Sequence, residues 1–391
     1  MIELKDLNTT VFTSYGAAWQ WAVDIAALPP AWISQTAGEI GLSELSLIEI
    51  YKKLLDQGKP AEEIRSELAA QAAQIVEAEK EDYSRITTGS NLQAFREAVA
   101  ENAKTPKYST GFSNLDEALD GGLYKGLYII GAVPSLGKTT FVLQMADHIA
   151  MQGQDVLIIS LEMDRTELMA KSISRSTFSL ARETGRDPMA KTARDILDGS
   201  RYGIYSQSEI SLINGAFDQY ARFADHVYVI EGRGNCTVNE IRAAVDHHKT
   251  ITGNSPVVIV DYIQIITPID AKATDKMNID NAVRALFWIA RDYDLPVIGI
   301  SSFNRQNYKG RPSMAAFKES GGLEYCADVL LGMGFKGSDE DGYDALKAKR
   351  KDPREIEISI LKNRLASVGG VLQFDYYAAY NTFIEDGYAV E

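Results

Sequence analysis

The stretch LYIIGAVPSLGKTT, residues 127–140, decides the fold of this 391-residue chain. Its first half is apolar and rich in β-branched residues, which predicts a buried strand, and a helical pattern follows over residues 139–152. The loop between them is typical of phosphate binding, although Ala132 stands where the usual pattern has its first Gly. A chance turn that contains Gly and Lys is the alternative, and the strand–loop–helix context argues against it. The sequence therefore predicts a nucleoside triphosphate site.

The residue types of this loop suit a polyphosphate. Successive backbone N–H groups and the N-terminus of the following helix surround the phosphate groups. A lysine here reaches the β- and γ-phosphates, and the hydroxyl that follows it holds Mg²⁺. We therefore expect the nucleotide to contact Pro134, Ser135, Leu136, Gly137, Lys138, Thr139 and Thr140, with Thr139 as a metal ligand.

Two carboxylates follow other predicted strands. VVIVD, residues 257–261, is an apolar strand that ends in Asp261, and such an Asp supports Mg²⁺ at the carboxyl edge of the sheet. SLEM, residues 160–163, places Glu162 at a second strand end, where it could orient the attacking water as a general base. The alternative for Glu162 is a strand-end glutamate that caps the helix starting at Asp164, and spacing alone does not decide between the two roles.

Strands alternate with helices from about residue 106 onward. The predicted strands are 127–132, 156–161, 226–231, 256–261, 296–301, 329–332, 356–361 and 371–374. This alternation predicts an α/β fold with a mainly parallel sheet that helices cover on both faces. The last strands lie close together with turn residues between them, which predicts antiparallel strands at one edge. Capping boxes predict helix starts at Asp164 and Thr237.

Residues 1–105 form a separate region in this interpretation, and 106–391 form the ATPase domain. Pro60 follows Gly58 and opens a run with apolar residues at 64, 68, 72 and 75, which predicts a helix with one buried face. Residues 103–110 are a predicted linker. The N-terminal region is therefore a small helical unit for contact with a partner or with other copies, and its role stays open.

Composition excludes several classes of protein. Hydrophobic residues make up 45% and charged residues 24%, as in ordinary globular proteins, and no apolar run reaches the ~18 residues of a membrane span. Cys236 and Cys326 are too few for a disulfide framework or a zinc site, and the N-terminus lacks signal-peptide features. We expect a cytoplasmic protein without membrane contact. The net charge of −14 has the wrong sign for coating duplex DNA, so nucleic acid would need a local path.

Seven motifs in this order resemble the C-terminal RecA-like ATPase domain of DnaB-type replicative helicases, in the form carried by phages and mobile elements. The resemblance covers about residues 106–385 and implies ATP and Mg²⁺ as cofactors. The motifs are STGFSNLDEALDGG (109–122), PSLGKTT (134–140), SLEM (160–163), VIVDYIQ (258–264), FNR (303–305), KESGGLEYCADV (318–329) and KNR (362–364).

The resemblance implies further roles. Glu162 matches the catalytic glutamate and Asp261 the Walker B aspartate of the family. Lys362 and Arg364 match a basic pair that one subunit inserts into the ATP site of its neighbour, so hydrolysis would require a hexameric ring. Without the resemblance, this pair would be ordinary strand-end cations on a solvated face.

Two loops match those that follow single-stranded DNA through the central channel of the family. They span about residues 266–280 and 305–322, and a solvated, flexible loop is the alternative for any single residue. The positive character of the second loop suits a groove that tracks a nucleic-acid backbone. Its candidate DNA-binding residues are Arg305, Lys309, Arg311, Lys318 and Gly321.

The chain departs from the family pattern at Ser302, where relatives usually have a Gln that couples the γ-phosphate to DNA. Residues 1–105 also do not evidently match the family's primase-contacting domain, so a primase or a loader stays an open partner, and no primase activity is predicted. The predicted function is a helicase motor. The alternatives are a RecA/KaiC-type ATPase that assembles or binds partners without unwinding, and a replication accessory with residual ATP binding. The presence of Lys138, Glu162 and Asp261 argues against the accessory.

Overall fold

The computed structural model describes residues 12, 14–40, 43–60, 63–64, 68, 83–102, 107–232, 235–270, 272–303, 310–317, 321–364, 366 and 370–390. The chain divides into two units, Met1–Thr105 and Pro106–Glu391. None of the described helices is long and apolar enough to cross a membrane.

The first unit is helical where it is described. Its helices are α1 (Tyr15–Gln20), α2 (Pro30–Ile40), α3 (Glu44–Asp56) and α4 (Leu92–Asn102), with a π-helical turn at Trp21–Ile25. Side chains of α2 and α3 form a small core, which also includes Ile64 and Leu68 from the helix predicted after Pro60. Most of that predicted helix, including positions 72 and 75, lies outside the described residues.

The second unit is built on one sheet of nine strands in the order β3-β2-β4-β5-β1-β6-β7-β8-β9. Strands β1 to β6 are parallel, whereas β7, β8 and β9 are antiparallel at one edge. The strands are β1 (Gly126–Ala132), β2 (Val156–Ser160), β3 (Val227–Glu231), β4 (Val257–Asp261), β5 (Pro296–Ser302), β6 (Val329–Phe335), β7 (Arg354–Asn363), β8 (Gly370–Tyr377) and β9 (Thr382–Val390). This arrangement confirms the predicted α/β class and the antiparallel edge.

Helices cover both faces of the sheet, because side chains alternate along a strand and each face needs a cover. Tyr128 and Ile130 of β1 belong to one core, and Leu127 and Ile129 belong to the other. The helices are α5 (Ser113–Ala118), α6 (Lys138–Met151), α7 (Arg165–Glu183), α8 (Ala193–Leu197), α9 (Gln207–Ala221), α10 (Val238–Thr252), α11 (Asp275–Asp292), α12 (Gly321–Cys326) and α13 (Ala345–Arg350).

The capping boxes predicted at Asp164 and Thr237 are both present, at the starts of α7 and α10. All eight predicted strands are present, and β6, β7 and β8 are longer than predicted. The sequence analysis missed β9, whose residues Glu385, Asp386 and Gly387 interrupt the apolar pattern. This last strand pairs with β8 at the antiparallel edge of the sheet.

Candidate nucleotide-binding site

The loop between β1 and α6 lies at the carboxyl edge of the parallel strands. Two of its residues have left-handed backbone conformations, with φ of 66° at Ser135 and 92° at Gly137. A Cβ atom on Gly137 would lie 2.8 Å from the ring of Tyr376, so both the conformation and the close approach require glycine there. The loop therefore exposes its backbone next to the N-terminus of α6.

A cavity of about 410 Å³ opens beside this loop. Leu136, also predicted to contact nucleotide, does not line it, because its side chain is buried in the core beneath the loop. The cavity thus brings together eight of the sequence-predicted residues from three separate segments of the chain. They are Pro134, Ser135, Gly137, Lys138, Thr139, Thr140, Glu162 and Asp261.

The register of the sheet explains why the two carboxylates meet. Strands β2 and β4 are neighbours, with Ser160 paired to Asp261. The backbone N–H of Leu161 then donates to the Asp261 carbonyl at 2.8 Å, which extends the pairing one residue beyond β2. Glu162 consequently emerges at the carboxyl edge beside Asp261, where ligands of open α/β sheets bind.

Burial perturbs the charged groups of the cavity. It lowers the pKa of the Lys138 ammonium to about 8, although the nearby Asp261 and Glu162 carboxylates oppose the shift. Burial also raises the pKa of Asp261 to about 6; a hydrogen bond with Thr139 opposes that rise, and the charge of Glu162 adds to it. Lys138 donates to the carbonyl oxygens of Ala132 at 3.1 Å and Val133 at 3.4 Å. The ammonium is therefore held at the loop by two backbone carbonyls.

The donor set fits a magnesium ion. Asp261 Oδ2 is buried and has no hydrogen-bond partner among the described residues, and the Thr139 side chain is hydrogen-bonded to the same carboxyl group. A carboxylate and a hydroxyl are hard oxygen ligands of the kind that Mg²⁺ uses together with phosphates and water. No group of three or more His, Cys, Asp or Glu side chains suited to a metal occurs within the described ranges. The site therefore suits an ion that arrives with its nucleotide.

Lys171 and Tyr376 also line the cavity, although they lie outside the motifs of the sequence and were not among the predicted site residues. Lys171 of α7 donates to Thr140 Oγ1 at 3.3 Å and to Asn381 Oδ1 at 3.0 Å, and burial followed by the charge of Arg175 lowers its pKa. Tyr376 of β8 stacks on Phe383 with ring centroids 4.1 Å apart. A lysine and an arginine at i, i+4 on a buried helix face were the available signal for Lys171; Tyr376 had none.

Lys362 and Arg364 lie at the opposite edge of the sheet. Lys362 pairs with Leu330 near the start of β6, and the Arg364 N–H donates to the Asp328 carbonyl, just before that strand. The Asp328 N–H in turn donates to the carbonyl of Leu127, five residues before β1 ends at the phosphate loop. At about 3.3 Å per residue, this separates Arg364 from the loop by about 17 Å along the strands. Neither cation lines the cavity of its own chain.

Two of the five predicted DNA-binding residues, Arg311 and Gly321, are within the described part of the chain. Arg305, Lys309 and Lys318 lie outside the described residues, and Gly321 is the first residue of α12. Arg311 is described, and its guanidinium lies 3.3 Å from Asp339 and 3.7 Å from Glu357.

Ser302, the departure from the family pattern, lines the nucleotide cavity at the end of β5. Gln264, which follows β4, bridges the ends of the two strands. Its amide nitrogen donates to Ser301 Oγ at 2.9 Å and to the Ser302 carbonyl at 3.1 Å, and its amide oxygen accepts from the Ser302 N–H at 3.3 Å. The two strand ends are thus tied together next to the cavity.

We compared the chain with known protein families and with characterised proteins. Residues 108–385 match the model of the DnaB-like helicase C terminal domain. The replicative DNA helicase DnaB of Geobacillus stearothermophilus is 28% identical over 306 residues, which cover 76% of this chain and 60% of that protein. The DnaB of Haemophilus influenzae is 28% identical over 67% of this chain and 52% of its own length. The chain thus spans about half to three fifths of these relatives.

Two solved structures share the fold. One of them, a separate ATPase domain, has a TM-score of 0.63 and 22% identity, covering 77% of this chain and 98% of that one. A DnaB-like replicative helicase, described with its interactions with primase, has a TM-score of 0.61 and 22% identity, covering 87% of this chain and 78% of that one. Both likenesses confirm a RecA-like ATPase fold of the DnaB type.

Proposed function

Because the chain belongs to the DnaB-like helicase C-terminal domain family, we propose that it is an ATP-dependent DNA helicase motor. It hydrolyses ATP at the subunit interfaces of a hexameric ring, translocates on single-stranded DNA and unwinds the duplex during replication. The observation that carries the proposal is the convergence of Lys138, Thr139, Glu162 and Asp261 on one cavity behind the phosphate loop.

Each of these residues has a role in hydrolysis. Lys138 neutralises the β- and γ-phosphates, and the backbone N–H groups of the loop hold the same groups. Thr139 and Asp261 hold Mg²⁺, whose charge neutralises the phosphates when it is bound. Glu162, exposed at the cavity, orients the attacking water and accepts its proton.

The ring is supported by the position of Lys362 and Arg364. An isolated subunit has phosphate-binding groups at one edge of its sheet and this cation pair at the other, about 17 Å away along the strands. Cations that stabilise the charge of a transferring phosphoryl group must reach it. In our proposal they reach the nucleotide of a neighbouring copy, so turnover depends on assembly.

Single-stranded DNA follows the loops that contain residues 266–280 and 305–322, with Arg305, Lys309, Arg311, Lys318 and Gly321 as contacts. ATP and Mg²⁺ are the cofactors, and the protein acts in the cytoplasm, where its nucleotide and DNA substrates are found. A primase or a loader is a candidate partner, since relatives of this family act in replication.

A RecA/KaiC-type ATPase that assembles without unwinding is the second candidate. Ser302 favours it, because a serine hydroxyl is too short to span the gap that a glutamine crosses between the γ-phosphate and DNA. In that case nucleotide would control assembly or partner binding, and hydrolysis would not respond to DNA.

The first test measures steady-state ATP hydrolysis with and without single-stranded DNA, together with the mass of the protein in solution. We expect turnover that DNA stimulates, from a species of hexameric mass, and separation of a forked duplex only when ATP is present. Lys138→Ala is the control and should lose both activities. Hydrolysis that ignores DNA, or a monomer that binds ATP without turnover, would favour the second candidate.

A further inference from the structure

The cation pair, Lys362 and Arg364, is hydrogen-bonded to the C-terminal end of α12. The Arg364 guanidinium donates to the Tyr325 carbonyl at 2.5 Å, and the Lys362 ammonium donates to the Glu324 carbonyl at 2.7 Å and to that of Tyr325 at 3.4 Å. These carbonyls belong to the last turn of the helix, where backbone oxygens lack intrahelical partners and attract cations. Both side chains are therefore anchored by the same short segment.

A buried carboxylate completes the seat. Asp328 is only 3% exposed, and its Oδ1 accepts from Arg364 Nη1 at 3.1 Å and from Arg291 Nη2 at 2.9 Å. Its Oδ2 accepts from the backbone N–H of Leu127 at 2.9 Å. Gly126 leaves room for this carboxylate, since a Cβ atom there would lie 2.9 Å from Oδ2. Asp328 is thus fixed to β1, the central strand of the nine-stranded sheet, and its fixed position in turn orients Arg364.

The charges explain why an anion is needed here. Lys362 and Arg364 are two residues apart at the end of β7, and their positive charges repel each other. Burial first and the Arg364 charge second lower the pKa of Lys362, whereas Asp328 and Glu324 oppose the shift. Backbone carbonyls alone carry no net charge to offset two cations. Without Asp328, we expect the pair to repel and Arg364 to leave its seat.

We propose that Asp328 is the positioning residue of the trans-acting cation pair. It holds the Arg364 guanidinium in a fixed orientation, so that the neighbouring subunit's nucleotide meets a preorganised cation. The proposal rests on the proposed function, because it assumes that Arg364 acts on a neighbouring copy. The new element beyond the proposed function is Asp328, which sets the geometry of Arg364 and is itself hydrogen-bonded to β1.

Four variants test the proposal, with the full chain and saturating single-stranded DNA. Asp328→Asn keeps the volume and an oxygen that can accept from Leu127, but it removes the charge that faces Arg364. Arg291→Ala removes the other cation of the carboxylate, on the half-exposed side of α11, and is the matched control. Arg364→Ala and the double variant Asp328→Asn/Arg364→Ala complete the cycle. The readouts are kcat, the Kd of a fluorescent ATP analogue, and solution mass.

We expect Asp328→Asn to lower kcat about tenfold with an unchanged Kd and an unchanged mass, and Arg291→Ala to stay within about twofold of the wild type. The double variant should have the same kcat as Arg364→Ala alone, because Asp328 acts only through Arg364. Any of three results would overturn the proposal. They are a wild-type kcat in Asp328→Asn, a loss of kcat in Arg291→Ala equal to that in Asp328→Asn, or a kcat in the double variant a further tenfold below that of Arg364→Ala. If Asp328→Asn no longer has the mass of the ring, Asp328→Ser, which is smaller and also uncharged, is held to the same outcomes.

The same set separates this proposal from the proposed function. Wild-type turnover by Arg364→Ala would mean that Arg364 has no part in hydrolysis, and the proposed ring mechanism would then be wrong. An inactive Arg364→Ala beside a fully active Asp328→Asn would leave that mechanism in place and remove only the role of Asp328.

Discussion

The carboxyl and amino ends of the parallel strands form two edges of the sheet, and their charged groups differ in how many hydrogen-bond partners they have. At the carboxyl edge, Lys138, Glu162 and Asp261 line an open cavity, and Asp261 Oδ2 has no hydrogen-bond partner within the described residues. At the amino edge, Lys362 and Arg364 are fully engaged with backbone carbonyls and with Asp328. One edge is therefore prepared to receive a ligand, and the other presents cations. In the proposed function, a single chain holds both halves of a hydrolytic site, about 17 Å apart along the strands.

Two aspartates show this difference most clearly. Asp261 and Asp328 are each only 3% exposed. Asp328 accepts three hydrogen bonds, two of them from arginines, whereas Asp261 Oδ2 has no partner within the described part of the chain and burial raises its pKa to about 6. A buried carboxylate oxygen without a donor is costly unless something binds it, so we propose Asp261 as the ligand-binding member of the pair and Asp328 as the positioning member.

The largest expected effect is at the carboxyl edge. Lys138→Ala removes the cation that neutralises the β- and γ-phosphates, and we expect kcat/KM for ATP to fall about 10³-fold or more while the fold is kept. Steady-state hydrolysis and thermal melting measure the two effects separately. Full activity in this variant would contradict both the helicase and the assembly-ATPase interpretations.

At the amino edge, Arg364→Ala should act on turnover and leave binding intact. We expect kcat to fall about 10²–10³-fold, because a cation supplied to the transition state is lost, and the Kd of a fluorescent ATP analogue to change less than about twofold. Arg291→Ala, at the same edge but without a proposed role in hydrolysis, is the control. A matching loss of nucleotide affinity in Arg364→Ala would place Arg364 in its own subunit's site and erase the contrast between the edges.

The pH dependence of kcat/KM should report the carboxyl edge alone. Metal binding needs an ionised Asp261, so kcat/KM should fall about tenfold per pH unit below about 6; phosphate binding needs a protonated Lys138, so it should also fall above about 8. Asp261→Asn should be weaker throughout and lose the acid limb, apart from the titration of ATP itself. Because folding raises the pKa of Asp261 from its ordinary 3.8 to about 6, ionisation of this carboxyl destabilises the nucleotide-free fold. That penalty should shrink as the pH falls below about 6 and be gone below about 3.8. An acid limb that survives in Asp261→Asn would assign the limb to another group.

The smallest expected effect is at Ser302, where the carboxyl edge departs from the family. Ser302→Gln restores a side chain long enough to span the cavity from the end of β5, and we expect the stimulation of ATP hydrolysis by DNA to rise about two- to fivefold. Ser302→Asn, shorter by one methylene, is the matched control and should give a smaller rise. Equal stimulation in all three proteins would show that another group couples nucleotide to DNA.

Local patterns predicted most of this fold, and non-local contacts account for what was missed. The strand runs, the capping boxes of Asp164 and Thr237, and the phosphate loop are each encoded within a few neighbouring residues. Strand β9 was missed because its charged and glycine residues break the apolar alternation, and the strand is defined by pairing with β8.

The candidate site also contains residues that local motifs predict and residues that only non-local contacts reveal. Thr139 and Asp261 stand in recognisable motifs, and the register of β2 on β4 brings Glu162 to them. Lys171 and Tyr376 come from a helix and an antiparallel strand without a motif, and only the folded chain shows that they reach the cavity. The amino-edge position of Lys362 and Arg364 likewise follows from pairing of β7 with β6, which no local pattern reveals.

Mixed rings test the central claim most directly, namely that the two halves of a site come from different copies. Lys138→Ala and Arg364→Ala subunits, each inactive alone, are co-expressed with different tags and purified through both. A Lys138→Ala copy still presents Arg364, and an Arg364→Ala copy still has its phosphate loop. When the two kinds of copy mix at random, about one interface in four pairs the two intact groups, so we predict recovered ATP hydrolysis of about a quarter of the wild-type rate. Mixed rings of wild-type mass that stay as inactive as their parents would contradict the account.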